Sequence, residues 1–266
     1  MTNKFMILAN LTAIVRKEFQ SYFYTPFAYI IAAFFWLISG FFFNAILDQL
    51  TQDISFLEQS GQISQSVDVA SQFLEAFSGV IISLFLVLLP ALSMGLYSEE
   101  RKRGTLELLA TSPVNNWVVA FGKLLGVISL LIVLMVPIWI WETIVFSAAN
   151  PPVSIQIILL THLSLFLIST AILSLGMFVS SLTDSSVLAY ILTFILILFL
   201  WIIDLVANSI IEPFSSILSH LSLFDSYNNL VRGVLEPSSL VLFASYIFIG
   251  IFLTAQSIEI LRFQRS

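Results

Sequence analysis

The sequence predicts an all-α membrane protein with six transmembrane helices. Of its 266 residues, 59% are hydrophobic and 10% are charged, and the mean hydropathy is +1.02. Ordinary soluble domains are about 45–50% apolar and about 25% charged. Six stretches of 18 or more residues contain no Asp, Glu, Lys or Arg: 19–47, 76–98, 124–141, 143–183, 185–203 and 237–258. Blocks of this length predict membrane spans.

The longest block, 143–183, exceeds what one helix needs to cross a hydrocarbon core of about 30 Å. It contains Asn150, Pro151 and Pro152, a turn through which a helix does not continue. Dividing the block there gives six predicted spans in one transmembrane domain, 1–266. The spans are 26–46, 79–96, 124–146, 154–180, 187–211 and 239–261.

The basic residues predict the orientation, because cytoplasmic loops retain Lys and Arg. With the N-terminus inside, nine of the ten basic residues are cytoplasmic and Arg232 is outside. The nine are Lys4, Arg16, Lys17, Arg101, Lys102, Arg103, Lys123, Arg262 and Arg265. Both termini are therefore predicted to be cytoplasmic. The net charge of -6 argues against a nucleic-acid partner, which requires a basic surface.

Three segments outside the spans are predicted to form further helices. Residues 1–25 place apolar side chains on one helical face, which predicts a helix in the inner membrane interface; a frayed tail is the alternative. The outer loop 48–78 carries five acidic residues and no basic one, and predicts one or two amphipathic helices. The apolar connection 210–238 predicts short helices that re-enter the outer leaflet. The apolar face of the first segment consists of Leu8, Leu11, Thr12, Val15, Phe19 and Tyr22.

The sequence contains no recognisable catalytic motif. The chain has no cysteine, and His162 and His220 lie outside any H-E-x-x-H spacing. The Gly122-Lys123 pair lacks the glycine five residues ahead that a P-loop requires, so the chain has no ATP site of that kind. His162 is predicted to be a hydrogen-bonded residue between helices. The sequence thus predicts a non-catalytic membrane protein.

Two acidic residues fall within the predicted spans. Asp204 lies inside the fifth span, and Glu142 lies near the outer end of the third. Charged groups are costly in lipid and often mark a transport pathway, so both residues are candidates for one. Neither has a visible cationic partner in the sequence, and both lie towards the outer side where water reaches them. A pathway role and simple hydration therefore both stay open.

The cytoplasmic loop 97–123 is the most informative segment. Its charged residues extend the second span into water, and Gly104 is expected to break the helix. The following residues, 105–110, predict a short helix that presents Leu106, Leu108 and Leu109. Ser112 and Pro113 then predict the N-cap and first turn of the next helix. An ordinary basic loop with leucines in the headgroup region is the alternative.

The order of residues in this loop resembles a known family signature. Residues 99–114 read E-E-R-K-R-G-T-L-E-L-L-A-T-S-P-V, and Gly122-Lys123-Leu124 follows. This resembles the E-x-x-x-G-T-x-E-x-L-L-x-x-P signature of type-2 ABC exporter permeases. Residues 16–29 resemble the K-E-x-x-x-x-F-x-x-P-x-A-Y opening of the gliding-motility-type branch of that family.

The resemblance implies a six-span permease that dimerises and works with separate ATPase subunits. It implies that 104–113 is a coupling helix and that the N-terminal interfacial helix also meets the ATPase. It further implies re-entrant helices between the fifth and sixth spans. The residues assigned to the ATPase contact are Glu99, Glu100, Arg101, Lys102, Arg103, Gly104, Thr105, Leu106, Glu107, Leu108, Leu109, Ser112 and Pro113, with Arg16, Lys17 and Glu18 on the interfacial helix.

The same resemblance implies the partners. They are ABC ATPase subunits that bind ATP and Mg, so this chain needs no cofactor of its own. The other expected partners are a second copy of this chain or a related permease chain, and the membrane lipid. An accessory extracytoplasmic subunit is a further expected partner. The expected location is the bacterial plasma (inner) membrane. The family moves sugars, lipids, drugs and peptides, so the resemblance does not identify the substrate.

Two other functional classes are compatible with the composition. An ion-coupled secondary transporter would be expected to have paired charges and interrupted helices at matching places in two halves. Pro90 in the second span has no such counterpart in the fifth. A non-transporting membrane scaffold would explain the scarcity of charges in the spans but would leave the coupling-like loop 97–123 without a role. The sequence therefore favours a permease subunit of an ATP-driven exporter.

Overall fold

A computed structural model describes residues 2–60, 68–106, 115–149, 152–207, 218 and 220–263. Within these ranges the chain is helical and contains no strand. Six candidate membrane spans are long and apolar enough to cross a bilayer. The predicted all-α class with six spans is thereby confirmed.

The described residues form a succession of helices. In chain order they are α1 Thr2–Phe23, α2 Pro26–Gln59, α3 Val69–Ser93, α4 Gly95–Lys102, α5 Asn116–Ser147, α6 Ile155–Leu182, α7 Ser186–Ala207, α8 Leu223–Val231 and α9 Pro237–Phe263. Helices α3 and α4 are separated by Met94, whose N–H donates to the carbonyl of Pro90 at 2.9 Å. Together they form one candidate span, Val69–Lys102.

The structure differs from the predicted division of the outer segment 48–78. Helix α2 does not end with the apolar block but runs on through polar residues to Gln59. Helix α3 begins at Val69, and the Asp68 carboxylate caps it by accepting from the Ser71 N–H at 3.1 Å. The first acidic residue marks the end of the apolar surface rather than the end of the helix, because isolated Asp and Gln do not break a helix.

Helix α5 also begins earlier than the predicted span start at residue 124. It starts at Asn116, and the Asn115 side chain accepts from the Trp117 N–H at 3.0 Å. The cap of this described helix is therefore Asn115, whereas Ser112, the predicted cap, lies outside the described residues. An Asn in extended conformation one residue before the helix supplies the same capping oxygen as a serine.

The core is built around α6, which contacts α3, α4, α5, α7, α8 and α9. Its contact with α9 is the most extensive, and Gly250 of α9 lies directly against Ser174 of α6. The fully buried side chains include Phe35, Phe73, Phe77, Phe85 and Phe243. This aromatic packing fixes the relative positions of the spans.

The connection between α7 and α9 is described only in part, because 208–217 and 219 lie outside the described residues. Its described helix, α8, is amphipathic and buries Leu223, Phe224 and Leu230. The Tyr227 hydroxyl donates to the carbonyl of Ser78 at 2.9 Å, which ties α8 to α3. That this connection re-enters the outer leaflet stays a prediction.

Candidate functional site

Helix α1 packs closely against α5, which places the N-terminal segment in a defined position. A Cβ atom added to Gly126 would lie 2.5 Å from the Cβ of Glu18, and one added to Gly122 would lie 2.8 Å from Cγ2 of Ile14. Only glycines allow this approach of the two backbones. The segment is therefore an ordered helix rather than a frayed tail.

A buried lysine lies where these two helices meet α4. Lys123 is 1% exposed, and its Nζ lies 2.8 Å from Oε1 of Glu18 and 3.1 Å from Oε1 of Glu100. It also donates to the carbonyl of Leu96 at 2.7 Å. Two of the three donors of the ammonium group are thus hydrogen-bonded, to Glu18 and Leu96, and the contact with Glu100 is an ion pair. The ring of Tyr97 adds a cation–π contact, with its centroid 4.9 Å from Nζ.

A second lysine completes the cluster. Lys17 Nζ lies 3.1 Å from the same Oε1 of Glu100, and the Lys17 side chain is 64% exposed. Partial burial lowers the pKa of Lys17, but attraction to Glu100 outweighs it and the net shift is upwards. The four side chains Lys17, Glu18, Glu100 and Lys123 carry two positive and two negative charges. We refer to them as the ion cluster.

The ion cluster joins three elements that are distant in sequence: α1, α4 and the start of α5. Other hydrogen bonds strengthen the same junction. The Tyr22 hydroxyl of α1 donates to the carbonyl of Leu92 at 2.9 Å, and burial raises the pKa of Tyr22, so this donor stays protonated. Arg101 Nη1 donates to the carbonyl of Ser181 at 2.9 Å, which adds the end of α6. This end of the bundle therefore behaves as one unit.

Helix α4 ends at a glycine turn beside the ion cluster. Gly104 has a φ of +70°, and its N–H donates to the carbonyl of Arg101 at 3.1 Å. Glycine reaches this left-handed conformation without steric cost, so the predicted helix break at Gly104 has its physical cause. The chain then turns so that Leu106 is buried, with 5% of its surface exposed.

The residues predicted to contact an ATPase divide into two groups. Glu99, Lys102, Arg103, Gly104, Thr105, Arg16 and Lys17 are exposed, whereas Glu18, Glu100, Arg101 and Leu106 are buried or partly buried in the chain's own core. The expectation that Leu106 faces a partner is therefore corrected, since it packs in the hydrophobic core. Glu107, Leu108, Leu109, Ser112 and Pro113 lie outside the described residues.

Sequence reasoning missed the central role of Lys123. Its signal was present: a lysine three residues before Gly126 and directly after Gly122, in the largely apolar stretch 117–141. Such a lysine requires a carboxylate partner when it is buried. The partner could not be identified, because Glu18 and Glu100 are remote in sequence and only the tertiary fold brings them near.

The two acidic residues considered for a pathway both have polar neighbours. Glu142 is buried, and its Oε2 lies 2.9 Å from Nε2 of His162 on α6. Asp204 accepts a hydrogen bond from the Ser222 hydroxyl at 2.8 Å. The expectation that neither carboxylate has a visible cationic partner is corrected for Glu142, since the imidazole of His162 on α6 lies against it and bridges α6 to α5. The contact described for Asp204 is with a neutral hydroxyl. A pathway role of Asp204 and Glu142 stays a prediction.

The comparisons with known proteins agree with this architecture. The chain matches the family described as ABC-2 family transporter protein over residues 12–265. A comparison with curated proteins finds no match. The likeness to the gliding-motility-type branch stays a prediction. Because the match extends over most of the chain, including the second half of α1 and all six candidate spans, this protein belongs to the ABC-2 family of transporter membrane proteins.

Proposed function

We propose that this chain is the permease subunit of an ATP-driven exporter, which moves its substrate outward at the expense of ATP bound with Mg in separate ABC ATPase subunits. Family membership supports the permease and its partnership with ABC ATPases. The observation that carries the coupling role is the ion cluster. It fixes α1 and α5 to the helix that leads through Gly104 into the predicted coupling segment, 104–113.

The geometry supports transmission of force from this segment to the spans. A push on 104–113 acts first on α4, which is held to α5 through Lys123 and to α6 through Arg101. These contacts are short and buried, so α4 cannot shift without moving its neighbours. If 104–113 were joined to the spans only by flexible backbone, the same movement of this segment would leave the spans in place.

The exposed charges beside this segment support an ATPase contact. Arg16, Lys102 and Arg103 are exposed at the end of the bundle that carries the ion cluster. Charged residues at the rim of an interface steer association and fix its orientation. We assign these side chains to the rim of the ATPase contact. Leu108 and Leu109 are the proposed apolar centre.

We also propose assembly with a second copy or a related permease chain. Helix α2 exposes Phe34, Leu37 and Phe41 along its outer face, more than half of each side chain being uncovered. Such a face suits lipid or another apolar helix. The exposed polar extension of α2 beyond residue 48 is the surface we propose for an accessory extracytoplasmic subunit.

Charge reversal of Arg103 tests the ATPase contact. Arg103→Glu should weaken association with the cognate ATPase by about tenfold, because it places a like charge at the rim of an acidic partner surface. The measurement is the apparent Kd between the purified chain in nanodiscs and the ATPase encoded with it.

Arg232→Glu is the matched control for this variant. Arg103 pairs with Glu99 at 3.3 Å and Arg232 pairs with Glu75 at 3.0 Å, and the two arginine side chains are 71% and 65% exposed. Both variants lose one exposed ion pair, worth about 0–1 kcal/mol, so their folding should change equally. Equal ATPase affinity for the two variants would contradict the proposed contact.

The proposed location is the bacterial plasma membrane with both termini in the cytoplasm, and cysteine labelling tests it. The native chain has no cysteine, so single substitutions label without background. Ser60→Cys should react with an impermeant maleimide on intact spheroplasts, and Thr105→Cys should react only after permeabilisation. Both positions are exposed hydroxyl residues next to helix ends. Labelling of both from the same side would overturn the orientation.

A further inference from the structure

A buried imidazole and a buried carboxylate meet between α5 and α6, in the half of the bundle away from the ion cluster. Glu142 and Lys123 lie towards opposite ends of α5, about 28 Å apart along the helix. Nε2 of His162 lies 2.9 Å from Oε2 of Glu142, and the two side chains are 15% and 6% exposed. Neither atom has a hydrogen-bond partner elsewhere among the described residues. The two atoms therefore depend on each other.

The other nitrogen of the imidazole determines how this pair is protonated. Nδ1 of His162 lies 2.8 Å from the carbonyl oxygen of Ile158. A carbonyl oxygen only accepts, so Nδ1 carries a hydrogen and donates it. If Nε2 and the carboxylate were both without a proton, two acceptors would face each other at 2.9 Å with no hydrogen between them. The pair therefore holds one proton, and we place it on Nε2 because an imidazole is a stronger base than a carboxylate.

The surroundings of the pair do not stabilise a net charge. A cavity of about 20 Å³ adjoins His162, and its other walls are largely apolar. They include Phe85 of α3, Met135 of α5 and Phe166 of α6. A cavity of this size holds about one water molecule, but a buried water needs two to four polar partners. Loss of the proton would therefore leave the Glu142 carboxylate buried without a cation, which is strongly unfavourable.

Glu142 is the charged neighbour of His162. Among the described residues, the charge that acts on the imidazole comes from this carboxylate, and the pair is joined to no other ionised side chain. Further titratable or charged residues lie on the elements around this end of α6 but form no ion pair with His162 or Glu142: Glu75, Asp204, His220, Asp225, Arg232 and Glu236. The state of the pair is thus set by its own proton.

The pair is also the polar link between α5 and α6. Within the described ranges, the other side-chain hydrogen bonds of α5 stay inside the helix or reach α1, α2 and α4. Those of α6 stay inside the helix or reach Met94, α4 and α9. We propose that Glu142 and His162 form a proton-binding site that latches α5 to α6. This inference does not depend on the proposed transport activity.

Nitrogen-15 NMR of the imidazole tests whether the pair holds the proton. The chain has two histidines, so His220→Gln leaves the His162 ring as the one signal. At about pH 8 a free imidazole is almost entirely neutral, yet both ring nitrogens of His162 should still carry a hydrogen. Glu142→Gln should leave one hydrogen on the ring at the same pH. A singly protonated ring beside an intact Glu142, or a doubly protonated ring in Glu142→Gln, would overturn the proposal.

Glu75→Gln is the matched control for Glu142→Gln. It removes an exposed carboxylate from α3 and leaves the buried pair intact, so both ring hydrogens of His162 should remain at about pH 8. The measurement on the chain that retains Glu142 does not require a variant of the pair. The test therefore stays valid even if Glu142→Gln fails to fold.

Hydrogen exchange of the full chain in nanodiscs tests the latch. Above about pH 7 an imidazole that opens to water releases its proton, so the opening equilibrium should rise about tenfold per pH unit. Exchange of the amides in 155–165, corrected for its intrinsic pH dependence, should show this rise in the native chain and in Glu75→Gln. In Glu142→Gln the corrected exchange should not change with pH. A native chain without the rise would refute the latch, and an equal rise in Glu142→Gln would assign it to another group.

Discussion

Replacement of Lys123 by Met should destabilise this protein by about 3–5 kcal/mol, because it leaves buried carboxylates without their cation. Lys123 is the shared partner of Glu18 at 2.8 Å and Glu100 at 3.1 Å. Glu100 keeps Lys17 as a partner, but Glu18 forms no other described ion pair. Helix α1 should therefore detach from α5 first. The measurement is thermal unfolding in nanodiscs, together with the rate of protease cleavage within α1.

Two further variants show whether charge is the cause. Lys102→Met removes an exposed lysine and should change stability by no more than about 0.5 kcal/mol. The triple variant Glu18→Gln, Glu100→Gln, Lys123→Met removes the unpaired charges and should recover part of the lost stability. The opposite result would be that the two variants unfold at the same temperature and are cleaved within α1 at the same rate. That result would show that the ion cluster does not hold α1 against α5.

The same variant bears on coupling. If α1 and α4 are held to α5 by Lys123, the assembled complex of Lys123→Met should hydrolyse ATP with reduced substrate export. Arg103→Glu, in contrast, should lower ATPase association and leave the bundle intact. The two variants thus separate the docking of an ATPase from transmission of its movement.

Local sequence signals were sufficient for the spans and for the break at Gly104. Charge-free blocks report the length of apolar surface directly, and a glycine after a charged helix end reports a left-handed turn. The helix boundaries were less predictable, since α2 continues to Gln59 through residues that are polar but compatible with a helix. Polarity marks where the membrane surface ends, whereas helix termination requires a breaker or a competing cap.

The partners of charged residues could not be predicted, because they depend on which helices become neighbours. Glu18 was assigned to the ATPase contact of the interfacial helix, yet α1 turns this residue towards α5. Glu142 and Asp204 likewise meet His162 and Ser222 only in the folded chain. Gly122 and Gly126 are four residues apart, a spacing that is only a weak signal of close helix packing and does not identify the neighbour, and α1 is the helix packed there.

Gly250→Val should be the most disruptive single substitution among the spans that leaves every charge in place. A Cβ atom at Gly250 would lie 2.6 Å from the carbonyl carbon and 2.7 Å from the carbonyl oxygen of Ser174. These are backbone atoms of α6, so no side-chain rotation can relieve the overlap, and α9 must move away from the central helix. We expect a loss of stability of about 3 kcal/mol, at the upper end of typical overpacking effects.

Gly79→Val is the matched control for this prediction. Gly79 lies within α3, and a Cβ atom there would meet no neighbouring atom within 4 Å. Both substitutions make the same chemical change within an apolar helix. The difference in intrinsic helix propensity, which favours valine over glycine by about 0.5 kcal/mol or less, is therefore shared. Thermal unfolding of the two variants in nanodiscs should therefore differ by the cost of separating α6 and α9. Equal unfolding temperatures would mean that these two helices are not in the close contact that the structure shows, and that the core around α6 can relax without loss.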